Sequence, residues 1–154
     1  MSSLAKYLFD LGYQVMGYDK TSSYITENLV ASGIQILFDD NIELIPSDFN
    51  KKNTQVVFTP AIPKDNLQYD YFARQGYSIK KRAVLLGEIT KDSTVFAIAG
   101  THGKTTTASF LSHLFKYANL DFMAFLGGVL NSDKSNLVHR GTKYAIVEAD
   151  EYDR

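Results

Sequence analysis

A chain of 154 residues with 45% hydrophobic and 13% aromatic content has enough apolar side chain for a packed core and reads as globular. Its formal net charge of −1, with no basic stripe, gives no electrostatic attraction to nucleic acid or to an anionic membrane surface. Zero cysteines exclude a disulfide framework and a thiolate metal site. Asp10 and Gly12 interrupt the first apolar run before it can be a signal peptide, and no stretch has the length of a membrane span. The expected setting is soluble and cytoplasmic, with no nucleic-acid partner, no membrane insertion and no indication of oligomeric state.

In chain order, Leu4, Leu8 and Leu11 recur at helical spacing over residues 3–11, and Gly12 ends the run. Residues 14–18 then form a short strand closing on Asp19. In a doubly wound sheet an acid at the end of the second strand is placed to accept a hydrogen bond from a ribose hydroxyl, so Asp19 is a candidate substrate contact. Helices expected over 23–32, 65–75 and 82–90 alternate with strands over 34–37, 54–58 and 77–80, the pattern of a Rossmann-like parallel α/β sheet. Such a unit needs a first strand and a glycine turn ahead of its first helix. Here the helical pattern begins almost at residue 1, and the first strand is expected to be missing.

A turn-like segment, Thr90-Lys-Asp-Ser93, separates a unit spanning 1–92 from a second spanning 93–154. The second is read as strand 94–99, helix 104–118, strand 121–126, a glycine-rich stretch at 127–136 and strand 143–149. It has too few strands for a complete P-loop sheet and is expected to be the beginning of a P-loop α/β ATPase domain.

The motif that carries the chemistry is Gly100-Thr-His-Gly-Lys-Thr-Thr-Thr107, set between the apolar run 95–99 and a helical segment. A strand ending in a glycine turn can direct several backbone N–H groups inward, and the following helix adds its positive dipole end. Lys104 would reach the β- and γ-phosphates and the Thr105 hydroxyl would face Mg²⁺. The usual loop is two residues longer, since its first glycine would fall on Ile98 rather than Gly100; a glycine turn with a solvated lysine is the bland alternative. Downstream, the apolar strand 143–147 runs into Glu148, Asp150, Glu151 and Asp153. Alternation puts Glu148 and Asp150 on one face and Glu151 on the other, the arrangement of a carboxylate that holds Mg²⁺ at a neighbouring strand end. A solvated acidic turn is the alternative here.

Other candidates are weaker. His102, inside the phosphate loop, could move a proton, position a substrate or pack beside the loop. His113 and His139 read as ordinary helix and loop residues. Ala108, Leu111, Leu114, Phe115 and Ala118 repeat at helical spacing and would bury the helix after the loop. Asp39-Asp40, Lys51-Lys52 and Lys80-Lys81-Arg82 read as solvated loop ends, Arg82 being the exception considered below. Asn131 and Asn136 fall in the glycine-rich stretch and are possible substrate contacts.

The loop G-T-H-G-K-T-T and the strand end E-A-D-E resemble the Mur ligase family. So do the helix start at residues 1–8, Thr59-Pro-Ala-Ile62, Arg82-Ala-Val-Leu-Leu-Gly-Glu88 and Leu126-Gly-Gly128. His102 favours the branch that adds L-alanine, or the branch that reattaches recovered murein tripeptide, over branches with asparagine there. The resemblance implies an ATP-dependent amide-bond ligase of peptidoglycan precursor synthesis, with UDP-N-acetylmuramate and L-alanine as substrates and ATP and Mg²⁺ as cofactors. Gly100, Thr101, His102, Gly103, Lys104, Thr105 and Thr106 would hold phosphate. Lys104, Glu148 and His102 would be the catalytic group, and Thr105 and Glu148 the metal ligands. Asp19, Thr59, Arg82, Asn131 and Asn136 would contact the sugar nucleotide. It also implies a build of three domains, of which this chain would be a fragment, inactive alone. A nucleotide-binding module without ligase activity is the reading of a different class.

Overall fold

The computed structural model describes residues 1–130 and 135–149. Among the described residues, five α-helices and eight strands alternate: α1 (Ser2–Asp10), β1 (Met16–Tyr18), α2 (Tyr24–Ala31), β2 (Gln35–Leu37), β3 (Gln55–Phe58), α3 (Leu67–Arg74), β4 (Ser78–Lys81), α4 (Arg82–Thr90), β5 (Thr94–Ile98), α5 (Lys104–Tyr117), β6 (Phe122–Leu130), β7 (Ser135–His139) and β8 (Tyr144–Glu148). The α/β class and nearly every expected element are present.

The strands before residue 93 make two separate parallel ladders, β1 with β2 and β3 with β4, rather than one sheet. In a doubly wound order the second and third strands are neighbours, as are the fourth and fifth, with the first strand between the two pairs. The two ladders have that pairing. They are tied by a side chain that the sequence placed in a solvated acidic cluster. Asp40, just past β2, accepts hydrogen bonds from the Leu67 and Gln68 N–H groups at 2.7 and 3.0 Å and so caps α3. The Gln68 side chain answers by donating to the Asp39 carbonyl at 3.0 Å. An acid at a helix N-terminus satisfies orphan donors and complements the dipole.

The second sheet is mixed, in the order β5-β8-β6-β7, with β5 and β6 parallel to β8 and β7 antiparallel to β6. β7 occupies ground expected to be glycine-rich loop, and His139 ends it. The segment has only Leu137 and Val138 as apolar residues, too few to show a period of two. It forms a strand because β6 offers it an edge and α1 covers it.

Two apolar layers clasp this sheet. On one face Leu4 and Tyr7 of α1 pack with Met123, Phe125, Leu137, Ala145 and Val147, with Leu86 and Ile89 of α4 at the margin. On the other, Ala108 of α5 packs with Phe122, Ala124, Leu126, Val138 and Ile146, and Leu111 and Phe115 flank them. Helices that precede residue 93 thus bury their apolar faces on the sheet built after it. The α5 stripe is narrower than its spacing suggested: Leu114 and Ala118 are exposed, with Phe110 and Tyr117 beside them, because the sheet covers only the side of α5 centred on Ala108. β5 forms a sheet edge in this fold, leaving Val95 and Phe96 partly exposed.

Candidate functional site

Strand alternation decides which side chains meet at the end of the second sheet. In β8, Ala145 and Val147 face α1 while Ile146 faces α5, so Glu148 emerges on the α5 side. There its Oε2 accepts a hydrogen bond from the Thr105 hydroxyl at 2.9 Å, and its Oε1 accepts one from the Gly127 N–H at 2.7 Å. The phosphate loop and the acidic strand end, 43 residues apart, therefore touch directly.

The loop between β5 and α5 turns at two glycines with left-handed backbone, Gly100 at φ 150° and Gly103 at φ 79°. Gly103 is the N-cap of α5 and, among the described residues, no side chain caps that helix, so its first N–H groups face the loop with the positive end of a 14-residue helix behind them. The Lys104 ammonium curls back to donate to the Gly100 carbonyl at 2.5 Å. Thr101, His102 and Thr106 are exposed around the turn, and Lys104 and Thr105 are half-buried. Such a cradle suits an anion with several oxygens.

Two clefts meet at Glu148. One, of about 380 Å³, runs between the start of α1 and the loop and is lined by Ser2, Arg82, Lys104, Gly127, Asn136 and Glu148, among others. The other, of about 270 Å³, lies between Thr59, Arg82 and Glu148. Arg82 borders both because α4 starts at it. The Lys80 ammonium of β4 ties down the last turn of the same helix by donating to both Glu88 oxygens at 2.8 Å. Asn136 is buried and donates to the Ser2 hydroxyl at 2.7 Å, joining β7 to the first turn of α1.

The structure thus gathers Thr59, Arg82, Lys104, Thr105, Asn136 and Glu148, drawn from both halves of the chain. Asp19 lines neither cleft; it is exposed at the end of β1, where it accepts from the Thr21 N–H at 3.2 Å. Asn131, Asp150, Glu151 and Asp153 lie outside the described residues. His113 is exposed on α5 and His139 stacks its edge on Tyr7, 4.9 Å between centroids. Gly127 and Ser2 belonged to quoted segments, but no sequence signal identified the one as a donor to Glu148 or the other as the partner of Asn136.

Comparison with known proteins identifies the family. A family model described as "Mur ligase family, catalytic domain" matches residues 1–94. The UDP-N-acetylmuramate–L-alanine ligase of Flavobacterium johnsoniae is 51% identical over 154 residues, covering 100% of this chain and 34% of the relative. The ligase of the same name from Parabacteroides distasonis is 47% identical over 156 residues, with the same coverage. The crystal structure of the UDP-N-acetylmuramate-alanine ligase of Thermotoga maritima superposes with a TM-score of 0.88 at 27% identity, covering 98% of this chain and 34% of that one. The UDP-N-acetylmuramate:L-alanyl-gamma-D-glutamyl-meso-diaminopimelate ligase of Neisseria meningitides gives 0.84 at 28% identity, covering 99% and 50%. The chain spans about a third of the length of the curated relatives it matches.

Proposed function

Since the chain belongs to the Mur ligase family, we propose that it carries the phosphate-binding centre of an ATP-dependent ligase that joins L-alanine to UDP-N-acetylmuramate in the cytoplasm. The observation behind this reading is the direct bond between Thr105 and Glu148 at a cleft that Lys104 and Arg82 also line. In the proposed reaction a carboxylate oxygen of UDP-N-acetylmuramate attacks the γ-phosphorus of ATP and ADP departs. The L-alanine amine then attacks the acyl carbon of the resulting acyl phosphate, inorganic phosphate leaves, and the amine gives up a proton to yield the amide.

Each residue has a part in that scheme. The N–H groups at the start of α5, with Gly100, Thr101, His102, Gly103 and Thr106 around them, hold the phosphates. Lys104 exchanges its bond to the Gly100 carbonyl for the β- and γ-phosphate oxygens, where its charge offsets the negative charge of the transferring group. Thr105 and Glu148 offer a hydroxyl and a carboxylate oxygen 2.9 Å apart, hard donors of the kind Mg²⁺ takes alongside phosphate oxygens and water. When bound, Mg²⁺ supplies charge neutralisation across the phosphates. Thr59, Arg82 and Asn136 face the sugar nucleotide, with the 1–92 unit presenting it to the 93–154 unit. His102, exposed at the loop, positions the substrate rather than serving as a base.

The test has two parts. Calorimetry on the 154-residue chain should detect ATP·Mg²⁺ binding. The chain joined to the remaining two thirds of the F. johnsoniae relative should release phosphate from ATP only when UDP-N-acetylmuramate and L-alanine are both present. The fit to the Neisseria ligase favours one second reading, a tripeptide acceptor; it predicts turnover with L-alanyl-γ-D-glutamyl-meso-diaminopimelate in place of L-alanine. Nucleotide binding with no turnover by the joined form leaves the non-catalytic module.

A further inference from the structure

Gly127 and Gly128 sit side by side in β6, and neither has the positive φ that forces a glycine. Their backbone could be that of any strand residue, so the reason for two glycines must be sought in space. A Cβ on Gly127 would lie 2.9 Å from Glu148 Oε2 and 3.3 Å from its Cδ and Oε1. A Cβ on Gly128 would lie 3.0 Å from Thr105 Cγ2. One glycine leaves room for the carboxylate and the next leaves room for the threonine that bonds it.

The backbone contributes as well. Among the described residues, the parallel pairing of β6 with β8 runs from Phe122↔Tyr144 to Phe125↔Val147. Past that point the Gly127 N–H turns to the Glu148 side chain instead of the β8 main chain, donating to Oε1 at 2.7 Å. With Oε1 held by Gly127 and Oε2 by Thr105, the glutamate has one geometry before any ligand arrives, and its rotamer entropy is already spent. The Thr105 hydroxyl has one proton, given to Glu148, and keeps its lone pairs for a cation.

We propose that the Gly127–Gly128 pair is a positioning element that fixes Glu148 against Thr105 and so sets the metal dependence of nucleotide binding. This rests on the reading of Thr105 and Glu148 as the metal-facing pair. Neither glycine touches the reacting atoms; both act through the two side chains they admit.

The experiment measures ATP affinity of the full chain by calorimetry, with Mg²⁺ and with EDTA, for the wild type, Glu148→Gln, Gly127→Ala and the double variant. Wild type should bind more tightly with Mg²⁺, and Glu148→Gln should lose that gain. Gly127→Ala should lose about 10- to 100-fold in the Mg²⁺ arm, the usual cost of disturbing a group that orients a metal ligand, with EDTA-arm affinity within about twofold. The double variant should lose no more than Glu148→Gln alone. Gly128→Ala should behave like Gly127→Ala, and Gly128→Ala/Thr105→Ser should recover the Mg²⁺ gain, because serine keeps the hydroxyl and lacks the methyl that clashes. Circular dichroism verifies folding; if Gly127→Ala unfolds, the Gly128→Ala pair decides. A Mg²⁺ gain missing in wild type, or kept by Glu148→Gln, overturns the metal reading and this inference with it. A gain lost in Glu148→Gln but kept in the folded glycine variants overturns this inference alone, as does failure of Thr105→Ser to rescue Gly128→Ala.

Discussion

The Thr105 hydroxyl donates to Glu148 Oε2 at 2.9 Å, closing the phosphate loop onto the end of β8. Thr105→Val keeps the shape and removes the donor. We expect Mg²⁺-dependent ATP binding to weaken by about tenfold and stability to fall by about 1 kcal/mol, the net value of one hydrogen bond. Titrations with and without Mg²⁺ alongside a urea melt check both; equal weakening in the two titrations would show that the hydroxyl serves nucleotide rather than metal.

Lys104→Ala should abolish ATP binding with or without Mg²⁺ and leave the fold unchanged. The ammonium bonds a loop carbonyl at the edge of an open cleft and supports no apolar layer. Calorimetry and far-ultraviolet circular dichroism provide the readouts. A large drop in melting temperature would mean that the Lys104 bond to Gly100 holds the loop together.

Tyr7 gives the fold an alkaline limit. Burial first, and the neighbouring Tyr13 second, raise its hydroxyl above the ordinary tyrosine value of 10.0. The unfolded chain then releases this proton at lower pH than the folded one. The contribution is fully present below pH 10 and is lost as pH rises from there through the folded value. Tyr77 shifts in the same direction, by burial and then by Tyr71, so it adds to the decline. Urea midpoints at about pH 9 and about pH 11 should show a smaller fall for Tyr7→Phe than for wild type. An identical fall would remove Tyr7 from the explanation.

Asp40→Ala should destabilise the chain by about 1–2 kcal/mol, since it strips the cap from two N–H groups of α3 and cuts a link between the two parallel ladders. Asn66, which accepts from the Tyr69 N–H at 2.8 Å, still caps the same helix end, so α3 should persist. A urea midpoint unchanged in Asp40→Ala would place its bonds among those that water replaces at no cost.

The sequence by itself was enough for most elements of the fold and for the place of the loop between β5 and α5. Gly100, Gly103, Lys104 and Thr105 fall on a strand-loop-helix junction because the apolar run ends at glycines that can take the positive φ the turn requires, and a helical period begins just after them. Local periodicity likewise placed α1 to α5. Tertiary structure alone decided the rest. β7 has too few apolar residues to announce itself and exists because β6 and α1 pack it. Leu114 follows the helical period of its stripe yet stays exposed, since a period says which face a residue shares and not how far the sheet extends beneath it. Asp40 looks like any loop acid until α3 folds over it. The contacts that define the site, Gly127 to Glu148 and Asn136 to Ser2, join residues 21 and 134 apart in sequence. Hydrogen bonds of that span depend on register and side-chain direction across several elements, and those are fixed only when the apolar layers on both faces of the sheet pack together.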